Sequence, residues 1–338
     1  MFINNNINCL NFKYYMTILK IVVPCYNEEA VIPEASKQFC YLLNKLITAG
    51  KISEESGVVF VDDGSHDKTW QLIEELSKTE NLICGIKLSK NRGHQNAVLA
   101  GMMSVSGDVV ITIDADLQDD ITVIEKMIDE HTAGSDIVYG VRNDRSTDTI
   151  FKRNSAILFY KTLSLFGVDL IFNHADFRLM SRRAIEALRE YKEVNLYLRG
   201  IVPLIGFKAT TIEYSRKQRF AGESQYPLMK MLKLAGDGVT SFSVVPLQII
   251  TMLGFTVFLG SFLIMAWVFG VTFFTGDAVP GWASTVLPIY FLGGIQILCL
   301  GVIGSYLGKI YIEVKSRPRY FVDKTVGLVH DLAADNNS

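Results

Sequence analysis

Two long uncharged stretches near the C-terminus limit what this chain can fold into. No Asp, Glu, Lys or Arg lies between Asp237 and Asp277, and none lies between Asp277 and Lys309. Each stretch is longer than the roughly 20 apolar residues that a helix needs to cross a bilayer. We predict two transmembrane helices, at about Val245–Phe269 and Val286–Leu307, joined by the short loop TGDAVPGWAS. Lys and Arg flank this hairpin but are absent from its loop, which predicts that both ends are cytoplasmic.

The part of the chain before these helices alternates between two kinds of segment. Short apolar runs, which predict strands, are ILKIVV, GVVFV, LICGIKL, DVVITI and DIVYG, and amphipathic helices fit between them near residues 31–47, 67–77, 95–104 and 121–133. This alternation predicts an α/β domain with a mostly parallel, buried sheet. Ligands of such sheets bind at the carboxyl ends of the strands. No GxGxxG follows the first strand, which argues against a nicotinamide-binding domain.

The segment TIDADLQDD concentrates negative charge at the end of the fourth predicted strand. Its carboxylates are Asp114, Asp116, Asp119 and Asp120. Carboxylates gathered at one point repel one another unless a cation, a basic cluster or water compensates them. Because Mg²⁺ is often held by one or two carboxylates together with substrate phosphates, the segment indicates a metal and diphosphate site. The alternative is a solvated turn with a helix cap at Asp119 or Asp120, which leaves Asp114 and Asp116 unexplained.

Four motifs follow the first four predicted strands in order. They are PCYNEE at residues 24–29, DDGSHDKT at 62–69, KNRGHQNA at 90–97 and DADLQDD at 114–120. In this order and spacing they resemble the family 2 glycosyltransferases with the GT-A fold. The resemblance continues through ADFRLMSR, RKQRFAGESQY and YLGKIYIEVKSRPRY, and it covers about residues 18–322. The chain is most similar to polyprenyl-phosphate glycosyltransferases, especially the bactoprenol glucosyltransferases of O-antigen modification, and is related to dolichyl-phosphate mannosyltransferases.

The resemblance implies a nucleotide-sugar donor bound at the strand ends. The implied donor-binding residues are Pro24, Tyr26, Asn27, Glu28, Asp62, Asp63, Asp114, Ala115 and Arg142. The implied ligands for Mg²⁺ or Mn²⁺ are Asp114, Asp116 and Gln118. Such a metal neutralises charge on the departing nucleoside diphosphate. For Asp63, an ordinary turn that caps the following helix is the alternative.

The resemblance also implies a polyprenyl phosphate acceptor. Its phosphate would contact Arg153, Arg216, Arg219 and Ser224, although simple adhesion to anionic lipid is an alternative for the basic cluster. The implied catalytic residues are Asp116 and Asp176. Asp176 matches the position of the proposed base, but a phosphate monoester has its second pKa at about 6 and is largely deprotonated at neutral pH. Asp176 therefore either removes a proton or orients the nucleophile or the sugar, and a helix-capping role is the third possibility.

The expected organisation has five parts. These are an N-terminal extension at 1–16, a GT-A domain at 17–225, a juxtamembrane amphipathic segment at 226–243, two transmembrane helices within 244–308, and a cytoplasmic tail at 309–338. We expect a multi-pass protein of the inner (cytoplasmic) membrane whose catalytic domain is cytoplasmic. A net charge of −2 argues against nucleic acid as a partner. Five scattered cysteines without CxxC spacing indicate neither a disulfide framework nor a zinc site.

The predicted reaction is inverting transfer of a hexose, glucose from UDP-glucose, to undecaprenyl phosphate. UDP-N-acetylglucosamine, UDP-galactose or GDP-mannose are alternative donors, and a non-catalytic lipid-binding or flippase component is the alternative from another class. DLQDD departs from the usual DLQDPP of the family, and Ser305 replaces a common Glu, so the identity of the sugar stays open. Besides the donor, the acceptor and membrane lipids, the resemblance implies a homo-oligomer, since similar proteins form tetramers.

Overall fold

The computed structural model describes residues 16–142, 174–194, 197–215, 245–275 and 282–327. Strands and helices alternate through its first half, as the sequence predicts. The elements are β1 Leu19–Cys25, α1 Ile32–Thr48, β2 Gly57–Asp62, α2 Thr69–Thr79, β3 Ile83–Leu88, α3 His94–Ser104, β4 Val109–Thr112, α4 Val123–Thr132, β5 Ile137–Arg142, β6 His174–Ser181, α5 Arg182–Arg189, α6 Leu198–Leu204, β7 Ala209–Tyr214, α7 Val245–Thr275, α8 Trp282–Val314 and β8 Val322–Val326.

The strands form one sheet of eight in the order β7-β5-β6-β4-β1-β2-β3-β8. Strands β1 to β4 are parallel where they pair, and so are β5 and β7. Strand β6 lies antiparallel between β4 and β5, and β8 lies antiparallel against β3. The prediction of an α/β protein with a mostly parallel sheet is therefore confirmed.

Both faces of the sheet are buried, which explains why its central strands are continuous apolar runs. In β1, Ile21 and Val23 pack with Phe39 of α1 in one cluster of the core. Val22, between them, packs with Val98 of α3 in the cluster on the other face. Since successive side chains of a strand point to opposite faces, a single apolar strand supplies both halves of the core.

Gly101 lets helix α3 lie close against the sheet. A Cβ at this position would stand 2.3 Å from Cγ1 of Val22 and 2.8 Å from Cγ2 of Val61. We expect Gly101→Ala to lower the free energy of unfolding by about 1–3 kcal/mol, because overpacking outweighs the helix propensity gained. Thermal unfolding in detergent measures this. Val22→Ala in the same chain makes room, so the two substitutions together should cost less than the sum of their separate effects. Strict additivity would contradict the predicted clash.

The two long C-terminal helices, α7 and α8, contact each other. Among the described residues, one stretch is long and apolar enough to cross a membrane, Leu292–Val314, and a shorter apolar stretch covers Val245–Val257. These criteria identify one span, so the two-helix transmembrane hairpin stays a prediction. Beyond the predicted span, α8 continues to Val314, and the chain then returns to the catalytic sheet as β8. No pattern in the sequence predicted that strand.

Candidate active site

The motif after β1 and the motif after β2 are bound to each other. The Asn27 amide donates to Oγ of Ser65, and the His66 amide donates to Oδ1 of Asn27, both at 2.9 Å. Asn27 has a φ of 54°, a left-handed conformation that asparagine tolerates well. Just before it, Pro24 is buried in β1 and Tyr26 is 40% exposed. The Glu28 amide donates to Oγ1 of Thr69 at 2.9 Å, so the loop is fixed at both ends.

Asp62 and Asp63, at the end of β2, have different partners. Asp62 is fully buried; its Oδ1 accepts from the Ser65 amide at 3.1 Å, whereas its Oδ2 has no partner among the described residues. Asp63 accepts from the amides of Arg92 at 2.7 Å and Gly93 at 2.8 Å. Burial raises the pKa of both carboxyl groups. Asp63 therefore fixes the loop before α3 and does not cap α2, so the capping alternative for Asp63 is wrong.

Asp114 and Asp116 follow β4 at the same edge of the sheet. The Asp114 side chain is 33% exposed. Its pKa is raised to about 6, mainly by burial; His94 lowers the pKa, and the neighbouring Asp176 carboxylate raises it further. Oδ1 of Asp116 accepts from the amide of Gln118 at 3.2 Å. Gln118 and Ala115 are themselves buried. The predicted metal ligands are therefore close together in the chain and lie at one strand end.

The other two acidic residues of the motif have structural partners. Oδ1 of Asp119 accepts from the Tyr214 hydroxyl at 2.6 Å and from Nη2 of Arg142 at 3.5 Å. Asp120 accepts from the amide of Thr122, immediately before α4. The N-cap residue of α4 is Thr122 and no side chain caps this helix, so the helix-cap alternative fits neither Asp119 nor Asp120. Asp119 instead joins the motif to β5 and β7. Arg142 is bound in this cluster, with Nε 3.3 Å from the Tyr214 hydroxyl.

Asp176 lies in strand β6, so the helix-capping alternative for it is wrong. Its Oδ1 accepts from Nη2 of Arg178 at 2.7 Å, and its Oδ2 accepts from Nη2 of Arg199 at 3.0 Å. Nε2 of His94 lies 3.4 Å from Oδ2 of Asp176 and 3.6 Å from Oδ1 of Asp114. His94 therefore bridges the carboxylates of Asp114 and Asp176.

The charges around Asp176 determine its protonation. Burial alone raises the pKa of Asp176, but Arg199, His94 and Arg178 outweigh this and hold its pKa well below the usual range. For His94, burial lowers the pKa, yet the hydrogen bond to Asp176 and the charge of Asp114 raise it overall. Asp176 is consequently an ionised carboxylate with a weak affinity for protons.

Sequence reasoning assigned no role to His94, Arg178 or Arg199. His94 stands in KNRGHQNA and Arg178 in ADFRLMSR, so both were inside motifs that the resemblance uses. Arg199 had no such signal. The predicted acceptor residues Arg153, Arg216, Arg219 and Ser224 lie outside the described residues.

Comparison with known proteins decides the family. The family model described as Glycosyl transferase family 2 matches residues 20–189. The uncharacterized glycosyltransferase YkoT of Bacillus subtilis (strain 168) is 49% identical over 92% of this chain and 93% of its own length. This chain belongs to glycosyltransferase family 2. The prediction of a family 2 glycosyltransferase enzyme is confirmed.

Other proteins similar to this chain have more specific names. The SfII prophage-derived bactoprenol glucosyl transferase of Shigella flexneri is 40% identical over 91% of this chain and 98% of its own length. Among solved structures, the mannosyltransferase PcManGT from Pyrobaculum calidifontis, in complex with GDP-Man and Mn²⁺, is 13% identical. That likeness has a TM-score of 0.43 and covers 87% of this chain and 88% of the other.

The oxygen donors of this family 2 enzyme fit a hard divalent cation. Asp114 and Asp116 supply carboxylates, and burial is the main cause of the raised pKa of Asp114. Among the described residues, no group of three or more His, Cys, Asp or Glu side chains is arranged to hold a metal on its own. In proteins, Mg²⁺ is often held by one or two carboxylates together with substrate phosphates and water.

Proposed function

We propose that this enzyme transfers glucose from UDP-glucose to undecaprenyl phosphate at the cytoplasmic face of the inner membrane. Relatives named bactoprenol glucosyl transferase support the lipid and the sugar, because the similarity extends over nearly the whole of both chains. The charge-free stretches support a membrane-embedded hairpin that holds the catalytic domain near a lipid acceptor.

The observation that carries the donor site is the order of strands β4, β1 and β2 at the centre of the sheet. It brings Asp114, the loop at Tyr26 and the buried Asp62 to neighbouring strand ends. A buried acceptor oxygen is costly unless a donor satisfies it, and Oδ2 of Asp62 finds no donor in the part of the chain that the structure describes. We infer that the nucleoside binds near Asp62 and Tyr26 and that the diphosphate lies towards Asp114 and Asp116, with Pro24, Asn27, Glu28, Asp63, Ala115 and Arg142 completing the pocket.

The proposed mechanism is a single displacement. The phosphate of the acceptor is already deprotonated at neutral pH, so it needs orientation more than it needs a base. Asp176, ionised between two arginines, orients Arg199 and His94, and the Arg199 guanidinium attracts the acceptor phosphate. A divalent cation held by Asp114, Asp116 and Gln118 would stabilise negative charge on the departing UDP. Attack on the face opposite UDP converts an α-linked donor into a β-linked product.

The phosphate of the acceptor is also proposed to contact Arg153, Arg216, Arg219 and Ser224. An assay of the purified protein with UDP-glucose, UDP-N-acetylglucosamine, UDP-galactose, GDP-mannose and a short polyprenyl phosphate tests the proposal. We expect glucose to be transferred fastest. Preference for another nucleotide sugar would change the donor and keep the reaction. Lipid binding without transfer from any donor would instead favour the lipid-binding or flippase alternative.

We predict that the catalytic domain and the C-terminus share the cytoplasmic side. A membrane-impermeant thiol reagent added to intact cells should label Ala278→Cys in the loop of the hairpin, because that loop carries no Lys or Arg. The same reagent should fail to label Ser338→Cys until the cells are opened. Labelling of Ser338→Cys in intact cells would place the C-terminus outside and overturn the topology.

A further inference from the structure

The chain returns from helix α8 to the catalytic sheet. Strand β8 pairs with β3, with Lys324 opposite Lys87, and the Ser89 amide donates to the Phe321 carbonyl at 2.9 Å. Val326 packs against the core cluster beneath α1 and α2. We name residues 313–326 the C-terminal strap. The strap connects the end of the apolar helix to the edge of the sheet, where β8 pairs with β3. In the chain, β3 is followed by the loop that ends at His94.

The C-terminal strap also holds the segment that precedes Arg199. Oε2 of Glu313 accepts from the amide of Val194 at 2.7 Å, and Nη2 of Arg319 donates to the carbonyl of Tyr191. The rings of Tyr191 and Tyr320 pack against the same apolar cluster. These contacts join residues that are 119 and 128 positions apart in the chain.

The segment held in this way leads directly to the candidate site. The Leu198 amide donates to Oε1 of Gln95, the residue after His94, at 3.0 Å. The Leu198 carbonyl accepts from Nη1 of Arg178 at 3.4 Å. Arg199, the next residue, contacts Asp176 through Nη2 at 3.0 Å and through Nε at 3.2 Å. The strap therefore holds residues 191 and 194 of the same segment whose residues 198 and 199 contact the groups around Asp176.

We propose that Glu313 and Arg319 are positioning residues that fix Arg199 against Asp176, so that the base of the apolar helix sets the geometry of the acceptor side. The role assigned to Arg199 rests on the proposed function. Residues 192 and 193 are exposed, so the segment before Arg199 depends on anchors from outside itself. Because a misplacement of about 1 Å at a reacting centre can cost about 100-fold in rate, two hydrogen bonds far from the chemistry are enough to matter.

Hydrogen–deuterium exchange of the full-length protein in detergent tests the anchor without any substrate. In Glu313→Ala and in Arg319→Gln, we expect faster exchange in peptides covering residues 190–204 and unchanged exchange in β1 and β2. Arg317→Gln is the matched control. Arg317 lies two positions before Arg319 in the same strap and is exposed, so the substitution removes the same charge. Unchanged exchange at 190–204 in both variants would overturn the proposal.

Turnover tests the link to the site. We expect kcat to fall at least about tenfold in Arg319→Gln and Glu313→Ala, with the KM for the nucleotide sugar within about twofold of wild type. Calorimetry with UDP gives the fraction of folded sites, so a loss through misfolding is counted separately. Glu313→Gln keeps an acceptor oxygen and should restore most of the rate lost in Glu313→Ala, whereas Arg317→Gln should match wild type. Equal losses in Arg317→Gln and Arg319→Gln would contradict a positioning role.

The two experiments also separate this inference from the proposed function. If the wild-type protein glycosylates no polyprenyl phosphate, the proposed acceptor is wrong, and the exchange measurement still decides whether the strap anchors the segment. If the wild type is active and both strap variants keep full turnover despite faster exchange at 190–204, the positioning role is wrong and the proposed function stands.

Discussion

Removal of divalent cations is expected to abolish sugar transfer, and Asp116→Asn is expected to lower kcat/KM at least about 100-fold. Asp116 lies partly exposed at the end of β4, beside Asp114. Stabilisation of a departing diphosphate by a metal is worth several kcal/mol, and a neutral amide is a much weaker ligand for a hard cation. Transfer rates measured with and without excess chelator, and again after Mg²⁺ or Mn²⁺ is restored, provide the test.

Asp120→Asn is the matched control for Asp116→Asn. It makes the same chemical change in the same motif, but Asp120 accepts a hydrogen bond from the Thr122 amide at the start of α4. An asparagine oxygen also accepts such a bond, so turnover should stay within about threefold of wild type. Full turnover in excess chelator would refute the metal assignment. Equal losses of turnover in Asp116→Asn and Asp120→Asn would indicate that the overall charge of the motif matters, and not metal binding by Asp116 in particular.

The strands predicted from sequence are those buried on both faces. Each of β1 to β4 is a short apolar run, and such a run carries its own signal. Strand β6, HADFRLMS, was missed because it carries charged groups into the candidate site and so interrupts the apolar pattern. Strand β8, VDKTV, was missed because it is an exposed edge strand with a polar sequence. Its pairing with β3 is a contact across most of the chain, which no local pattern reveals.

The same division applies to the candidate site. The convergence of Asp62, Asp114 and Asp116 could be predicted because parallel strands bring their carboxyl ends to one edge. The environment of each carboxylate could not. Asp119 and Asp114 are the same residue type in one motif, yet Asp119 is paired with Tyr214, 95 positions away, whereas Asp114 faces His94. Side-chain partners distant in sequence decide which aspartates are structural and which are available to a ligand.

Asp176→Asn is expected to reduce turnover at least about 100-fold while UDP affinity stays within a few-fold of wild type. The carboxylate lies between Arg178, which is 1% exposed, and Arg199. An amide cannot compensate two guanidinium groups, so Arg199 and His94 lose the group that orients them. Removing one partner of a buried ion pair also costs about 3–5 kcal/mol of stability, so the folded fraction must be measured by UDP calorimetry in the same preparation.

Asp136→Asn provides the control for a lost ion pair. Asp136 is paired with Arg183 and accepts from Oγ of Ser181 at 2.9 Å, in contacts separate from those of Asp176. Its turnover per folded site should equal that of wild type. Loss of UDP binding in Asp176→Asn would move Asp176 to the donor site.

NMR of the product completes the test of mechanism: a β linkage from an α-linked donor is the expected result, because the acceptor phosphate attacks the face opposite UDP. A retained α linkage would refute the single displacement on the face opposite UDP that Asp176 is proposed to organise.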